Sequence, residues 1–174
     1  MKTIALSTIT MVLSLASGAA LSQSTAPNDA QIAGIVTTAN TVDIDAGKLA
    51  EQQSGNEQVK QFARQMVTDH TGVNKLASAL VEKLKVKPEA SATSKGLKDA
   101  GAASMSKLKA LKGRDFDRAY IANEASYHQT VIDALDTTLI PNAKNSELKA
   151  LLVKVRPAFV AHLEHAKQIQ ASMQ

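Results

Sequence analysis

The sequence predicts an all-α protein, a bundle of four long helices. In four separate segments the apolar residues recur at steps of three and four, as they do on one face of an α-helix. Glycine and proline fall mostly between these segments, at Pro27, Gly55, Pro88, Gly113 and Pro141. No segment alternates apolar and polar residues over the length of a strand. A chain of 174 residues that is 44% apolar suits a single domain with a substantial core.

The first two long helices are predicted over residues 28–53 and 57–84. Asn28 suits an N-cap, with Gln31 as its capping-box partner, and Asn56 suits the N-cap of the second helix. The apolar stripe of the first helix is Ile32, Ile35, Ala39, Val42, Ala46 and Leu49. The stripe of the second is Val59, Ala63, Met66, His70, Val73, Ala77, Leu80 and Leu84.

The other two long helices are predicted over residues 115–139 and 146–172. The stripe of the third is Asp117, Ile121, Glu124, His128, Val131 and Leu135, and that of the fourth is Leu148, Leu152, Val155, Phe159, His162, Ala166 and Ile169. Residues 94–111, between the second and third long helices, are predicted to form a shorter helix. Ferritin-like folds have their one long crossover at this place, so we expect a ferritin-like four-helix bundle with a partly helical crossover.

The composition excludes several classes of function. The absence of cysteine excludes disulfide scaffolds, thiolate metal sites and thiol nucleophiles. Three Phe, two Tyr and no Trp leave few platforms for stacking bases, and 20 basic against 16 acidic residues give a mixed surface, so no nucleic-acid partner is expected. The chain has no Gly-x-Ser-x-Gly elbow, phosphate-binding glycine loop or His-Glu-x-x-His motif. No residue is therefore assigned a catalytic role.

The amino terminus has the pattern of a secretory signal peptide. Lys2 is followed by a mostly apolar run that ends in small residues, and cleavage is expected after Ser22 or after Ala19. The predicted organisation is a signal peptide over residues 1–22 and one helical domain over residues 23–174. No later segment is apolar enough to span a bilayer. We therefore expect export, with the periplasm as the final location.

Three of the four histidines occupy core positions of the predicted bundle. His70, His128 and His162 lie on the apolar stripes of three different helices. Glu124 precedes His128 by four residues and shares its face, and Asp43 borders the stripe of the first helix. Each of these helices carries its group roughly 13 to 16 residues from its start, so all of them fall near mid-helix at 1.5 Å per residue. The sequence therefore predicts one central polar layer.

A buried layer of ionisable groups must be paired, hydrated or bound to a metal, because isolated buried charges are costly. One hypothesis is a mononuclear or dinuclear metal site with His70, His128, His162, Glu124 and Asp43 as candidate ligands. Asp69 and His165 are candidates for orienting these ligands or for extra ligands. Nitrogen and oxygen donors without thiolate suit iron, manganese, zinc, copper or nickel. The alternative is a metal-free hydrogen-bonded layer, in which each histidine donates to a carboxylate and fixes the helix register.

A second hypothesis comes from the charge pattern. Lysines are dense between the second and third long helices, in residues 83–112, and this basic stretch suits weak contact with anionic membrane surfaces. The protein would then be a non-catalytic envelope or stress-related interaction protein, with a purely structural histidine layer. The alternative for the lysines is a solvated connector.

Several motifs resemble a known bacterial family. They are VDIDAGKLA at residues 42–50, VKQFARQMVTDHT at 59–71, FDRAYI at 116–121, and the late Pro157 followed by His162. Together they span nearly the whole predicted domain in order. The chain is similar to the family catalogued as domain of unknown function 4142, whose members are often labelled outer-membrane or membrane proteins.

The resemblance implies an exported ferritin-like bundle without an established activity. The family's Asp-His pair corresponds to Asp69 and His70, and its later histidines to His128 and His162. Family members usually have glutamate where this chain has Asp43. Di-iron sites of ferritin-like proteins use Glu-x-x-His twice, whereas Glu124 and His128 are four residues apart. The resemblance therefore does not imply ferroxidase activity.

Overall fold

The computed structural model describes residues 26–173, and these residues form five main helices and no strand. The helices are α1 (Asp29–Gln53), α2 (Glu57–Leu84), α3 (Ala92–Ala110), α4 (Gly113–Ala134) and α5 (Ser146–Ser172). Between α4 and α5 the chain forms a π-helical turn (Leu135–Leu139) and a short helix (Ile140–Asn142). The predicted signal peptide, residues 1–22, lies outside the described residues. Of the helices in residues 26–173, none has both the length and the apolar character to cross a membrane.

Hydrogen bonds at the two ends of the bundle establish the helix directions. At one end, Gln53 at the end of α1 donates from Nε2 to the carbonyl of Leu111, just after α3, over 2.5 Å. Arg118 in α4 donates from its guanidinium to the carbonyl of Met173, just after α5, over 2.6 Å. At the other end, Asp29 accepts two backbone hydrogen bonds from the loop before α5. Helices α1 and α5 therefore run one way, and α2 and α4 run the other.

The four long helices form two packed hairpins, α1 with α2 and α4 with α5. Helix α2 also contacts α5, and α1 contacts α4, which closes the bundle. Helix α3 runs back outside the bundle along α1 and α4, so the parallel helices α2 and α4 are joined by a crossover. This arrangement confirms the all-α class and the ferritin-like bundle with a helical crossover.

The helix termini follow from local sequence. Asn28 and Gln31 form a complete capping box at the start of α1, and Asn56 caps α2 by accepting from two backbone N–H groups. The helix after the crossover begins at Gly113, two residues before the predicted start, and the helical path continues past Pro141. Pro141 lies in the first turn of the short helix Ile140–Asn142, where a backbone N–H would have no helical partner, so its absence costs no hydrogen bond.

The core consists of two apolar clusters with a polar layer between them along the bundle axis. One cluster lies near the start of α1 and includes Ile32, Ile35, Leu135, Leu152 and Phe159. The other lies near the end of α1 and includes Phe62, Met66, Tyr120, Ile121 and Ile169. The buried polar residues between them are Asn40, Asp43, His70, Glu124, His128 and His162. Every long helix of the bundle contributes to this layer.

Candidate metal centre

Three imidazole rings meet in the middle of the bundle. His70 of α2, His128 of α4 and His162 of α5 are 0–3% exposed. The ring centroids of His70 and His128 are 5.5 Å apart, those of His70 and His162 are 5.4 Å apart, and those of His128 and His162 are 5.3 Å apart. One nitrogen from each ring lies within 4.8 Å of a nitrogen of both others. The bundle thus presents three nitrogen donors to one small volume.

The protonation of His70 follows from its neighbours on α1 and α2. His70 Nδ1 lies 2.8 Å from Asn40 Oδ1, and an amide oxygen only accepts, so Nδ1 carries the proton. Asn40 in turn donates from Nδ2 to Asn74 Oδ1 over 2.9 Å, which directs its oxygen towards the ring. In the neutral ring, Nε2 therefore has a free lone pair.

His128 and His162 are oriented in the same manner by other groups. His128 Nδ1 donates to the backbone carbonyl of Glu124 over 3.0 Å, and His162 Nε2 donates to Asp69 Oδ2 over 2.9 Å. Each ring therefore has one protonated nitrogen bound to an acceptor and one bare nitrogen. Within residues 26–173, the bare nitrogens, His70 Nε2, His128 Nε2 and His162 Nδ1, have no hydrogen-bond partner.

Two buried carboxyl groups adjoin the imidazoles. Asp43 Oδ2 lies 3.1 Å from His70 Nε2 and 3.5 Å from His128 Nε2, so it faces two lone pairs rather than two protons. Glu124 Oε2 lies 3.6 Å from His128 Nδ1. Asp43, Glu124 and His128 each offer one atom within 4.8 Å of the others. Neither carboxyl group has a hydrogen-bond partner in the part of the chain that the structure describes.

Burial changes the protonation of the whole layer. It raises the pKa of Asp43 to about 8 and the pKa of Glu124 well above its usual value. It also lowers the pKa of His128 to about 4 and the pKa of His70 well below its usual value. Near neutral pH the metal-free layer therefore contains neutral imidazoles and neutral carboxylic acids. A divalent cation would reverse the protonation of the carboxyl groups, because it stabilises their ionised form.

The donor spacing fits a small divalent ion. Metal–nitrogen bonds of about 2.0–2.1 Å in a tetrahedral site separate neighbouring ligand atoms by about 3.3–3.4 Å. The distances from Asp43 Oδ2 to the two Nε2 atoms, 3.1 and 3.5 Å, lie on either side of this value. Two of the three orienting partners, the backbone carbonyl on His128 and the carboxylate on His162, are of the kinds that usually hold metal-binding histidines. The two converging groups of donors, the three histidines and Asp43 with Glu124 and His128, are therefore candidates for holding a metal ion.

The two remaining sequence candidates lie at the edge of the layer. Asp69 is partly exposed and binds the outer nitrogen of His162, so it is placed to orient that ring. His165 is half-buried, packs edge-on against Phe62 with centroids 5.3 Å apart, and contacts Gln65 Oε1 at 3.3 Å. It does not belong to either group of converging donors among the described residues.

Three polar residues in or beside the layer were not predicted from the sequence. Asn40 and Asn74 orient His70, and the hydroxyl of Tyr120 is fully buried without a hydrogen-bond partner in residues 26–173. Asn40 precedes Asp43 by three residues on the same helix face, which is a signal that the sequence contained. Tyr120 precedes Glu124 by four residues, and the nearby Glu124 and Asp43 charges add to burial in raising its pKa.

The sequence profile of one family, described as domain of unknown function (DUF4142), matches residues 14–169. The chain belongs to this family. No curated protein matches the sequence. The family assignment agrees with the resemblance noted in the sequence motifs and supplies no activity.

Two solved structures share the fold. A structure of CopM in the Cu(II)-bound form has a TM-score of 0.65 at 18% identity, and the match covers 84% of this chain and 98% of that chain. The crystal structure of a "putative secreted protein DUF305" from Streptomyces coelicolor has a TM-score of 0.68 at 11% identity, covering 82% and 91% of the two chains. At these identities the likeness shows a common helical architecture.

Proposed function

We propose that this protein binds one divalent transition-metal ion at the centre of its helical bundle. The observation that carries the proposal is the convergence of three bare imidazole nitrogens, each opposite a nitrogen whose proton is bound to an acceptor. The ligands are His70 Nε2, His128 Nε2 and His162 Nδ1, with Asp43 Oδ2 as the fourth. Glu124 adjoins them as the remaining candidate ligand.

Charge balance favours a single ion. When Asp43 and Glu124 are both ionised, their two negative charges neutralise one divalent cation among three neutral imidazoles. A second divalent cation would leave excess positive charge in a site whose members are 0–3% exposed, and uncompensated buried charge is strongly unfavourable. Because both carboxyl groups are neutral in the metal-free protein, binding releases protons.

The donor set favours the later first-row metals. Three imidazoles and a carboxylate suit zinc, copper, nickel and iron, and affinities for divalent ions generally rise towards copper. CopM, which shares the fold, has been solved with Cu(II) bound. We therefore expect Cu(II) to bind most tightly in a competition series, followed by Zn(II) and Ni(II).

The hydrogen bonds distinguish this proposal from a purely structural layer. In a structural layer each histidine donates to a carboxylate of the layer itself. Here His70 donates to an amide and His128 to a backbone carbonyl, and only His162 donates to a carboxylate, Asp69 at the edge. The inner carboxyl groups of Asp43 and Glu124 accept no hydrogen bond from a histidine, and Asp43 Oδ2 instead lies 3.1 Å from the bare nitrogen His70 Nε2.

The test is metal analysis of the purified protein after loading with Cu(II) or Zn(II) and removal of excess ion. Wild type is expected to retain one equivalent, and His70→Ala is expected to retain little. His165→Ala is the matched control, because His165 is half-buried on the same bundle but outside the cluster, and it should retain one equivalent. If wild type holds no metal after loading, or if His70→Ala retains as much metal as wild type, the metal site is rejected and the layer is structural.

We also infer export through the predicted signal peptide, residues 1–22. The basic residue and apolar run at the amino terminus support it. The intact mass of protein recovered from the periplasmic fraction tests it, since the mature chain should begin at Gln23 or Ala20. Recovery of the uncleaved chain from the cytoplasm would contradict the inference.

The lysines around the crossover favour a second candidate function, contact with anionic lipid. All eight are exposed, at positions 83, 85, 87, 95, 98, 107, 109 and 112. Lys83 pairs with Glu147 and Lys95 pairs with Asp99, which reduces the free positive charge of the region. Sedimentation with phosphatidylglycerol vesicles at low and high salt tests this candidate. Binding that salt abolishes would support it, and absence of binding at low salt would exclude it.

A further inference from the structure

An apolar cavity lies beside the imidazole cluster, where α3 crosses over α1, α4 and α5. Its volume is about 100 Å³. Most of its wall is aliphatic or aromatic, including Ile35, Ala39, Leu97, Val131, Leu152 and Phe159. The cavity belongs to the apolar cluster near the start of α1 and contains none of the proposed metal ligands.

The few polar residues in the wall offer little to a water molecule. The amide of Asn40 is engaged by His70, and the hydroxyl of Thr130 donates to the carbonyl of Ser126 over 3.0 Å. Thr93, the third polar wall residue, is exposed to solvent. A buried water needs two to four polar partners, and apolar cavities without them stay dry.

One aromatic ring separates the cavity from the metal centre. Phe159 is part of the cavity wall, and its ring centroid lies 5.0 Å from that of His70 and 6.0 Å from that of His128. A molecule in the cavity would therefore lie against the outer face of the ring that packs on two of the proposed ligands.

We propose that this cavity is a binding site for dioxygen. The occupant must be uncharged and apolar, because the wall supplies dispersion contacts and no free hydrogen-bonding group suited to water. Apolar cavities of about 150 Å³ hold benzene or xenon, so a cavity of this volume has room for a diatomic molecule. The proposal goes beyond metal binding and does not depend on it, since the apolar wall exists in the metal-free protein.

Solution NMR of the metal-free protein under dioxygen pressure, compared with nitrogen, tests the proposal. Dioxygen is paramagnetic and speeds the relaxation of nearby methyl groups. The methyl groups of Val131 and Leu152, in the cavity wall, should relax several-fold faster under dioxygen than those of Ile121 and Ile169. These isoleucines are fully buried in the other apolar cluster, so they control for dioxygen dissolved throughout the core. Equal enhancement at both sets of methyl groups would overturn the proposal.

Filling the cavity provides the matched variants. Ala134→Leu places a larger side chain in the wall and should remove the enhancement, whereas Ala122→Leu, exposed on the same helix, should keep it. Leu97→Phe fills the cavity from α3 and decides the question if Ala134→Leu does not fold. If the Val131 and Leu152 methyl groups still relax faster under dioxygen in both filled variants, dioxygen lies elsewhere and the proposal is overturned. If the wild-type protein binds no metal but shows the faster methyl relaxation under dioxygen, only the metal-site proposal is rejected.

Discussion

Replacing Asn40 with leucine tests whether the outer hydrogen bond of His70 prepares the metal site. Asn40 is 1% exposed and accepts a 2.8 Å hydrogen bond from His70 Nδ1, so a leucine of similar size removes the acceptor and excludes water. The imidazole proton is then expected to move to Nε2, because Asp43 Oδ2 lies 3.1 Å away and accepts it there. Nε2 would no longer have a lone pair for the ion.

Loss of an orienting partner of a metal ligand typically weakens binding by about 10–100-fold. Because the tautomer also changes, we expect about 100-fold here, which is about 2.7 kcal/mol. Competition titration against a chromophoric chelator measures the affinity, and ¹⁵N NMR of the histidine rings shows which nitrogen of His70 carries the proton.

Asn40→Asp is the matched control for this prediction, because it keeps an acceptor oxygen at the same position. Its affinity should stay within about tenfold of wild type. If Asn40→Leu folds like wild type by circular dichroism and binds the ion equally well, the hydrogen bond does not prepare the site and the argument from tautomers is wrong.

Three further predictions concern stability. The melting temperature of the metal-free protein should fall from pH 6.5 to pH 8, because Asp43, with its pKa raised to about 8, keeps a proton that the unfolded chain has already lost above the usual pKa of 3.8. Below pH 6.5 this effect is opposed, because the unfolded chain also takes up a proton that His128, with its pKa lowered to about 4, does not. A calorimetric series from pH 4 to pH 8 checks this, and a monotonic rise to pH 8 would contradict it. Ala134→Leu should stabilise the protein by about 1 kcal/mol in urea titration, since a cavity of 100 Å³ costs about 2 kcal/mol and leucine fills part of it; a loss of stability would show that the wall cannot accept the side chain. Gly34→Ala should destabilise by about 1–3 kcal/mol, because a Cβ there would overlap the backbone oxygen of Glu89 in the α2–α3 connection. Gly72→Ala, with open space around its Cβ, should stabilise by about 0.5–1 kcal/mol, and equal effects of the two changes on the urea midpoint would refute the contrast.

The helices were predictable because several local signals agreed. In α2 the cap at Asn56 and the apolar stripe both indicate residues 57–84, and the structure has these bounds. The prediction was less accurate around Pro141, where the helical path continues for one residue beyond the proline. The π-helical turn that precedes it changes the register, and a proline in the first turn of a new helical piece is tolerated. The spacing of apolar residues by three and four in the sequence reveals neither effect.

The depth of the candidate site was predictable, whereas its tautomers were not. The rise of 1.5 Å per residue was enough to place the three histidines at one level. The free nitrogen of each ring depends on contacts between helices, such as His70 with Asn40 and His162 with Asp69. Asn40 lies three residues before Asp43 on the same helix face, but this spacing does not tell which nitrogen of the His70 ring it contacts. Such contacts appear only when the register between helices is known.

The four proposed ligands come from four different helices, two from each hairpin of the bundle. An ion held by all four would join segments that are distant along a chain without cysteine. While it stays bound, such an ion would act as a cross-link between the four helices. Removing the ion would therefore resemble reducing a disulfide. The two apolar clusters would still hold the hairpins together, so chelation would lower the free energy of unfolding while the metal-free bundle stays folded.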